Sequence, residues 1–414
     1  MPQLIDPSSL ASVLPKTGRV LVQGASGESQ LLADAVMAAG SAIGALTFTG
    51  GFVPGTNHNT YLANPDCRVE TFFYTAALKA APRDQVQLLS MCYNDIRSRF
   101  LRIDLDAALF MVAPPDENGL CSFGPAVDFF AEIWPRIPIR IAHVNPLMPR
   151  TRGCPQIPFS EITAYVVGDQ PFDAVADSSD DPTANAIAAH IAPLIGDGAT
   201  LQLGIGKVPG AVLKALTGRR NLRFHSGLIV DEVVDLEEAG ALAPGASVLT
   251  GVAIGSARLY RAIERETYQF QPVAVTHNEV LISTIPHFIS VNSALEVDLF
   301  GQVYSELGPK GLMSGPGGAS DYGRAARLSP GGLRIIALAS SAARGTISRI
   351  VAPGGGAGPV SLSRFDVDII VTEHGVADLR EQDYASRAER LIAIAPPDHR
   401  EKLRADWAKF AERF

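Results

Sequence analysis

The chain has 414 residues, of which 47% are hydrophobic and 19% charged, and its formal net charge is −8. This composition is typical of a folded soluble protein, and the length predicts two or three domains with large cores. The acidic balance, without a run of like charge, argues against nucleic acid or an anionic membrane as the main partner, because both reward basic patches.

Neither a membrane anchor nor an export signal is predicted. No stretch approaches about 18 consecutive apolar residues, and the start MPQLIDPSSL lacks a basic segment followed by an apolar one. The four cysteines, Cys67, Cys92, Cys121 and Cys154, are widely spaced and form no CxxC pair. We therefore expect free thiols in a cytoplasmic protein instead of a disulfide framework or a zinc site.

The N-terminal half is predicted to alternate helices with buried strands. A short amphipathic helix, Pro7–Leu14, precedes a strand, a glycine turn and a helix in GRVLVQGASGESQLLADAV. The loop TGGFVPGTNHNTY, residues 49–61, presents His58 either as a functional histidine or as one that stabilises the loop. Short apolar runs at Ala107–Val112 and Ile137–Val144 predict buried strands of a largely parallel sheet.

The stretch GDQPFDAVADSSDDP, residues 168–182, separates the two halves. It is acidic, rich in Ser, Gly and Pro, and without hydrophobic period, which is typical of an interdomain linker. Asp181 followed by Pro182 fits a helix cap and a first-turn proline. We therefore predict an N-terminal α/β domain at 1–168, a linker at 169–182 and a C-terminal α/β domain at 183–414.

The C-terminal half begins like the N-terminal half. GATLQLGIGKVPGAVLKAL, from Gly198, repeats the order of glycine, strand, glycine turn and helix that starts at Gly18, and Gly204 matches Gly24 at the same offset. An amphipathic helix, Pro182–Ile195, again comes first. Such a repeat predicts two related α/β domains, although two ordinary βα units could also resemble each other by chance.

The Gly-Ile-Gly turn at residues 204–206 is a candidate anion site. Two glycines let the backbone approach a ligand and leave amide N–H groups pointing outward, so the turn could bind an anion or form half an oxyanion hole. Tight strand–helix turns also use glycine for steric reasons alone, so the motif by itself decides nothing.

The next unit, FHSGLIVDEVVDLEEAGAL, has a glycine where a reactive side chain would be expected. Strand-like residues Leu222–Phe224 are predicted to run into a turn at 225–227, and an acidic helix begins at Asp231. Glu232 would be at the first position of this helix, where the helix dipole favours a carboxylate without any catalytic task.

Further elements follow in the C-terminal half. VNSALEVDLFGQVYSE, residues 291–306, predicts a hairpin with Glu296 and Asp298 on one face. Two acids on one face could form a site, but we interpret this face as solvated. A glycine-dense stretch feeds the helix Ala319–Leu328, whose N-terminus again offers N–H donors. The remaining predictions are strands at Leu201–Leu203, Arg334–Leu338 and Asp368–Thr372, and two tail helices broken at Pro396 and Pro397.

Five segments together resemble the acetyl-CoA hydrolase/transferase family, which includes acetate, succinate and 4-hydroxybutyrate CoA-transferases. They are VTEHGVADLR, LQLGIGKVPGAVLKAL, NSALEVDLFGQVYSE, PPDENGLCSFG and HVNPLMPRTRG, and the resemblance covers nearly the whole chain. It implies two tandem CoA-transferase-type α/β domains with the site between them. It further implies an acyl-CoA substrate, coenzyme A as substrate or product, no metal, and a homodimer or higher homo-oligomer.

The family's nucleophile is missing from this sequence. Family members transfer CoA by a ping-pong reaction through a glutamate in a motif resembling H-[ST]-E-M. The matching residues here are His225, Ser226, Gly227 and Leu228, so glycine occupies the glutamate position.

The resemblance also assigns roles to other residues. It implies oxyanion donors at the backbone N–H groups of Ile205 and Gly318, and it maps an asparagine that poises the glutamate onto Asn278. The candidates for holding CoA are Gly204, Gly206, Lys207, Gly317, Arg324 and Arg344, with Arg327 and Arg349 completing a basic rim. Lys207 could instead simply be solvated.

Without the glutamate the covalent intermediate is lost, but a thioester carbonyl polarised by two backbone donors stays activated. Glycine is expected to leave space for water or a bulkier acyl group. Attacking water needs a general base, and the candidates are Glu232, Glu296, His58 and His225.

Three functional hypotheses follow. The first is a hydrolase that cleaves the thioester, or a carbon–carbon bond of a β-keto acyl-CoA, by water attack. The second is a CoA-transferase that uses another carboxylate or a direct ternary mechanism, and the third is a non-catalytic CoA-binding protein.

Overall fold

The computed structural model describes residues 1–172, 180–308 and 311–413. The chain divides into two compact units, Met1–Ala176 with Val248–Thr276 and Asp177–Ser247 with His277–Phe414. Half of the predicted linker at 169–182, residues 173–179, lies outside the described residues, and the predicted domain boundaries stay a prediction.

Strands and helices alternate over much of the chain, as is typical of an α/β protein. The strands are β1 Gln3–Leu4, β2 Thr17–Val22, β3 Ala45–Gly50, β4 Arg68–Thr71, β5 Val86–Leu88, β6 Ala107–Val112, β7 Leu120–Cys121, β8 Ile139–Val144, β9 Ile157–Pro158, β10 Ala164–Val167, β11 Thr200–Leu203, β12 Arg223–Ile229, β13 Val248–Ala253, β14 Tyr268–Phe270, β15 Phe288–Ser293, β16 Glu296–Asp298, β17 Val303–Tyr304, β18 Leu307–Gly308, β19 Gly311–Leu312, β20 Leu333–Ala337, β21 Ser341–Ala342, β22 Ile347–Ser348, β23 Ile350–Val351, β24 Ile369–Thr372 and β25 Gly375–Asp378. The α-helices are α1 Leu10–Val13, α2 Gln30–Ala39, α3 Ala76–Ala80, α4 Tyr93–Phe100, α5 Phe130–Ile133, α6 Pro182–Ile191, α7 Lys207–Ala215, α8 Glu232–Glu238, α9 Ala257–Ala262, α10 Val273–Thr276, α11 Glu279–Ser283, α12 Ala319–Leu328, α13 Tyr384–Ala393 and α14 Arg400–Ala411.

The first unit is built on a parallel sheet with the strand order β1-β10-β8-β6-β2-β3-β4-β5. Alternate residues of β2, such as Val20 and Val22, are buried in its core. The chain leaves β2 through a short glycine turn, and the Ser29 hydroxyl accepts a hydrogen bond from the Leu32 N–H to cap α2. The same unit includes β13 and β14, which pair in parallel.

The second unit has the strand order β12-β11-β15-β20-β24-β25, in which every pair is parallel except β24 with β25. The Asp181 carboxylate accepts hydrogen bonds from the N–H groups of Thr183 and Ala184, and Pro182 follows in the first turn of α6. The predicted cap and helix start are therefore confirmed. Leu391, Ile392, Leu403 and Trp407 of the two tail helices pack into this unit's core.

Most predicted elements agree with the structure. The largely parallel α/β class is confirmed, the five buried strands are present within a few residues, and α12 has the predicted bounds. The hairpin also forms, since β16 pairs antiparallel with β17 around Gly301. Among the described residues, no helix is long and apolar enough to cross a membrane.

The turn predicted at residues 225–227 is wrong. These residues lie inside β12, which continues to Ile229. The strand continues because His225 and Ser226 are buried in the sheet, and the Ser226 hydroxyl donates a hydrogen bond to the Leu203 carbonyl on neighbouring β11. A glycine inside a strand commonly marks a close approach of another group.

Candidate active site

The group that approaches Gly227 is the imidazole of His277. A Cβ atom built on Gly227 would lie 2.5 Å from Cε1 and 2.9 Å from Nε2 of this ring, and 3.1 Å from the Tyr322 hydroxyl oxygen. His277 is only 3% exposed. The space that the sequence analysis left for water or an acyl group is therefore filled, at its base, by an aromatic side chain.

Gly318 contacts the same ring. A Cβ atom on Gly318 would lie 2.6 Å from Nε2 and 2.7 Å from Cδ2 of His277. Neither Gly227 nor Gly318 has a positive φ, so backbone conformation does not require glycine at either position. Both glycines instead admit the imidazole.

Aromatic side chains hold the ring in place. The His277 and Tyr322 rings lie 4.7 Å apart, Tyr322 stacks on Phe288 at 6.3 Å, and His225 meets Phe288 edge-on at 6.4 Å. Burial, with the nearby His225 as a smaller cause, lowers the pKa of His277 to about 3. The imidazole is therefore neutral at physiological pH.

The Gly-Ile-Gly turn lies directly after β11, the strand beside β12. Gly206, the residue before α7, has a φ of 120°. This value lies in the left-handed region of backbone conformation, which favours glycine. Ile205 is 47% exposed at the carboxyl end of β11. Ligands of parallel α/β sheets bind at this edge, which keeps the Ile205 N–H a candidate donor.

The structure gives two predicted site residues partners within the second unit. The Lys207 ammonium lies 3.8 Å from the Asp181 carboxylate that caps α6. Glu232 is the first residue of α8, and its carboxylate faces Gly210 of α7, where a Cβ atom would lie 2.9 Å from Oε1. The helix-dipole interpretation explains Glu232 without a catalytic role.

Asn278 caps a helix. Its side-chain oxygen accepts a hydrogen bond from the Leu281 N–H at 3.0 Å at the start of α11. The preceding residue, His277, is the one whose side chain contacts position 227. Asn278 therefore caps α11, and the role that the resemblance implied for it beside position 227 stays a prediction.

The arginines of the predicted basic rim differ in their surroundings. Arg324 lies 3.7 Å from Glu279, and Arg327 lies 4.0 Å from Asp366. Arg344 is exposed in a turn with φ 57°, and the Arg349 N–H donates to the Ser340 carbonyl. CoA binding by the arginines of this basic rim remains a prediction, as does CoA binding at Gly204 and Gly317.

The solvated face predicted for β16 is wrong. Asp298 is fully buried and accepts hydrogen bonds from the N–H groups of Phe300, Gln302 and Gly354 and from the Tyr304 hydroxyl. The Glu296 carboxylate accepts from the Ala357 N–H at 2.7 Å. These carboxylates hold turns around the hairpin, and the role of Glu296 as a base stays a prediction.

In the first unit, His58 is exposed while its neighbour Asn57 is buried. Asn57 and Tyr61 both donate hydrogen bonds to the buried Glu28 carboxylate, at 2.9 and 2.8 Å. Burial raises the pKa of Glu28. The polar pattern of this loop pointed to His58 and gave no signal for Glu28, which lies in the glycine turn after β2.

Two of the cysteine thiols stay protonated. The structure describes all four cysteines, and none of them forms a disulfide. Burial raises the pKa of Cys121 to about 11 and of Cys154 to about 12, which keeps both protonated. Within the described ranges, no cluster of three His, Cys, Asp or Glu side chains could hold a metal ion.

The chain is similar to known proteins in both sequence and structure. Residues 255–407 match the family model of the acetyl-CoA hydrolase/transferase C-terminal domain. The 4-hydroxybutyrate coenzyme A transferase of Clostridium kluyveri is 39% identical over 319 residues, which cover 74% of this chain and 73% of the relative. The chain belongs to the acetyl-CoA hydrolase/transferase family.

Two further similarities bear on activity. The crystal structure of a 4-hydroxybutyrate CoA-transferase from Porphyromonas gingivalis has a TM-score of 0.81 and 29% identity, covering 100% of this chain and 98% of that one. An acetyl-CoA hydrolase from Kluyveromyces lactis is 29% identical over 214 residues, 48% of this chain and 38% of the relative. As a member of this family, the chain is an acyl-CoA enzyme, a CoA-transferase or an acyl-CoA hydrolase.

Proposed function

We propose that this chain hydrolyses an acyl-CoA by direct attack of water on the thioester carbonyl. The observation that carries the proposal is the glycine at position 227 with the His277 ring packed against it. Glycine has no nucleophile to accept an acyl group or CoA, so the covalent route of the family is closed at this position.

The backbone N–H groups of Ile205 and Gly318 would stabilise the oxyanion that forms on the carbonyl oxygen. Removing one such donor typically lowers the rate about 100- to 1,000-fold, so the pair alone supplies a large part of the catalysis. Attack on the thioester carbonyl cleaves the carbon–sulfur bond, whereas for a β-keto acyl-CoA attack of water on the β-keto carbonyl would cleave the bond between the α and β carbons.

A panel of acyl-CoAs tests this proposal. Thioester cleavage would be followed by release of free thiol, with and without acetate or succinate as CoA acceptor. Carbon–carbon cleavage releases no CoA, so the acyl products would be separated by mass. Turnover that needs no acceptor is expected, and turnover that requires one would contradict hydrolysis.

A second candidate is CoA transfer, because two of the three relatives described above are named as CoA-transferases. It would require another carboxylate, such as Glu232 or Glu296, or a direct ternary mechanism. Borohydride reduction after incubation with acyl-CoA converts a glutamyl-CoA thioester to an alcohol. A mass change on either glutamate would favour transfer, and an unmodified protein is expected.

A further inference from the structure

The imidazole of His277 lies where a side chain at position 227 would begin. Its Nε2 atom would be 2.9 Å from a Cβ atom on Gly227 and 2.6 Å from one on Gly318. Both glycines are partly exposed, whereas the ring beneath them is buried. A single nitrogen of the ring is thus directed at the two backbone positions that frame the lost nucleophile.

This placement comes from local structure. Asn278 caps α11, so its neighbour His277 is fixed just before the first turn of that helix. Tyr322 of α12 packs on one side of the ring at a centroid distance of 4.7 Å. Because Gly318 is the residue that precedes α12, the ring, the helix and the predicted oxyanion donor are positioned by the same short segment.

We propose that His277 is the general base of this site, and this inference rests on the proposed hydrolysis. Nε2 accepts a proton from a water molecule, and the resulting hydroxide adds to the thioester carbonyl carbon as the carbonyl π electrons move to oxygen. The tetrahedral oxyanion collapses and breaks the carbon–sulfur bond. The leaving CoA thiolate takes the proton back from the imidazolium, which leaves a free carboxylic acid and CoA.

The electrostatic surroundings oppose the first step until substrate binds. Burial and His225 disfavour the charged form of the ring, which keeps the imidazole neutral but makes it a weak base. During reaction the oxyanion and the thiolate bring negative charge next to the ring, and an opposite charge favours the imidazolium. His225 of β12 and Tyr322 of α12 are titratable groups that face the ring.

A purely structural role for the ring predicts different kinetics. A ring that only fills space would, when shortened, change stability and substrate affinity but not the chemical step. A general base contributes about 100- to 10,000-fold to the rate, and its loss lowers kcat with little change in KM.

The test compares His277→Gln with the wild-type protein and with His190→Gln, a control on α6 of the same unit. Each protein is assayed for acyl-CoA cleavage and for CoA exchange onto acetate, after circular dichroism and melting have shown that it is folded. We expect kcat of His277→Gln to fall about 100- to 10,000-fold, His190→Gln to match the wild type, and added imidazole to restore part of the activity of His277→Ala.

The outcomes separate the two proposals. If the wild type cleaves acyl-CoA without an acceptor and His277→Gln retains its kcat, the base assignment is overturned and hydrolysis stands. If the wild type only exchanges CoA, hydrolysis fails and the base assignment fails with it. If the variants do not fold, the pH dependence of the wild-type rate is the test. The cleavage rate is expected to stay constant between about pH 5 and 7.5. A fall of the rate on acidification with a midpoint near 6.5, typical of an unperturbed histidine, would overturn the assignment.

Discussion

A methyl group at position 227 would meet the His277 ring, because a Cβ atom there lies 2.5 Å from Cε1. Gly227→Ala is therefore expected to lower the free energy of unfolding by about 1–3 kcal/mol, which is typical of overpacking. Urea denaturation measures the change. Gly218→Ala is the control, since a Cβ atom at Gly218 meets nothing within 4 Å. Equal effects of the two substitutions would show that the ring yields without strain.

The glutamate of the family can be tested at the same position. Gly227→Glu alone should not gain CoA exchange, because the longer side chain meets the buried ring. In Gly227→Glu combined with His277→Asn, the smaller side chain makes room, and exchange onto acetate or succinate is expected to appear. Assays of both proteins with a panel of acyl-CoAs decide this, and exchange by the single variant would mean that the ring moves aside.

The burial of His277 should also make the free energy of unfolding depend on pH. Burial lowers the pKa of His277 to about 3, whereas an unfolded histidine titrates near 6.5. At pH values between these two pKa values, residue 277 binds more protons in the unfolded state than in the folded state. The stability contribution of a neutral His277 is therefore complete above about pH 6.5 and is lost as the pH falls towards 3, by up to about 1.4 kcal/mol per pH unit.

Urea denaturation between about pH 4.5 and 7 tests this slope. His277→Gln should show a shallower loss of stability on acidification than the wild type, while His190→Gln should keep the wild-type slope. Other titrating groups, such as Asp128, whose pKa burial raises to about 7, contribute equally to all three proteins. Parallel curves would mean that His277 titrates normally in the folded state.

At this scale the resemblance points to position 227 as the place of the family's nucleophile, but the sequence gives no sign of the ring that packs there. Position 227 is identified by a local motif. The contact with His277 joins β12 to the start of α11, and these segments are far apart in the sequence. No sequence pattern within either segment indicates that the two lie in contact in the fold. The burial of Asp298 escaped prediction for the same reason, because its hydrogen-bond donors include Gly354.

Among the helices, α6 has the clearest terminus. Asp181→Ala should lower the free energy of unfolding by about 1 kcal/mol through loss of the cap. Asp181→Asn keeps an acceptor for the Thr183 and Ala184 N–H groups, and the pair with half-exposed Lys207 contributes little, so this variant should stay close to wild type. If denaturation shows Asn as unstable as Ala, the pair with Lys207 matters more than the cap.

The hairpin of β16 and β17 depends on one carboxylate. The Asp298 Oδ1 atom accepts hydrogen bonds from two N–H groups, and Oδ2 accepts one from a hydroxyl and one from an N–H group. In Asp298→Asn the side-chain NH₂ group, itself a donor, would replace one of these oxygens and face other donors. The free energy of unfolding should fall by at least about 1–3 kcal/mol, the cost of leaving a buried polar group unsatisfied. Glu296→Gln, which keeps an acceptor for Ala357, is the control in the same denaturation series.

Elements with strong local signals were predicted well, and β12 shows where such signals end. A capped helix such as α6 or a long periodic one such as α12 is specified by its own residues. The segment His225–Gly227 looked like a turn because it is polar and ends in glycine. Its strand conformation depends on a neighbouring strand and on the ring that covers the glycine, neither of which is local.

The whole molecule is acidic, with a net charge of −8, yet its proposed substrate is anionic. CoA affinity, measured by calorimetry, should therefore fall as salt screens the arginines of the predicted rim. A pantetheine thioester, which lacks the phosphates, should bind with little salt dependence. Equal salt dependence would place the phosphates away from Arg324, Arg327 and Arg344, and no CoA binding would contradict the functional assignment.

The two-unit architecture was visible in the repeat because each half has its own strand, glycine turn and helix. That residues 248–276 cluster with the first unit could not be predicted. The association depends on backbone hydrogen bonds such as the one from the Val127 N–H to the Gly251 carbonyl, which join distant segments.

Because a side chain at position 227 would overlap the His277 ring, the residue types at these two positions should be linked in other sequences of the family. A chain of this family with a side chain at the position of 227 cannot keep a histidine at the position of 277 in the same place, since both would occupy one volume. The two positions should therefore change together among relatives. Chains that combine glycine with histidine would form a group recognisable from sequence alone, and an inhibitor that reacts with an active-site glutamate would spare all of them.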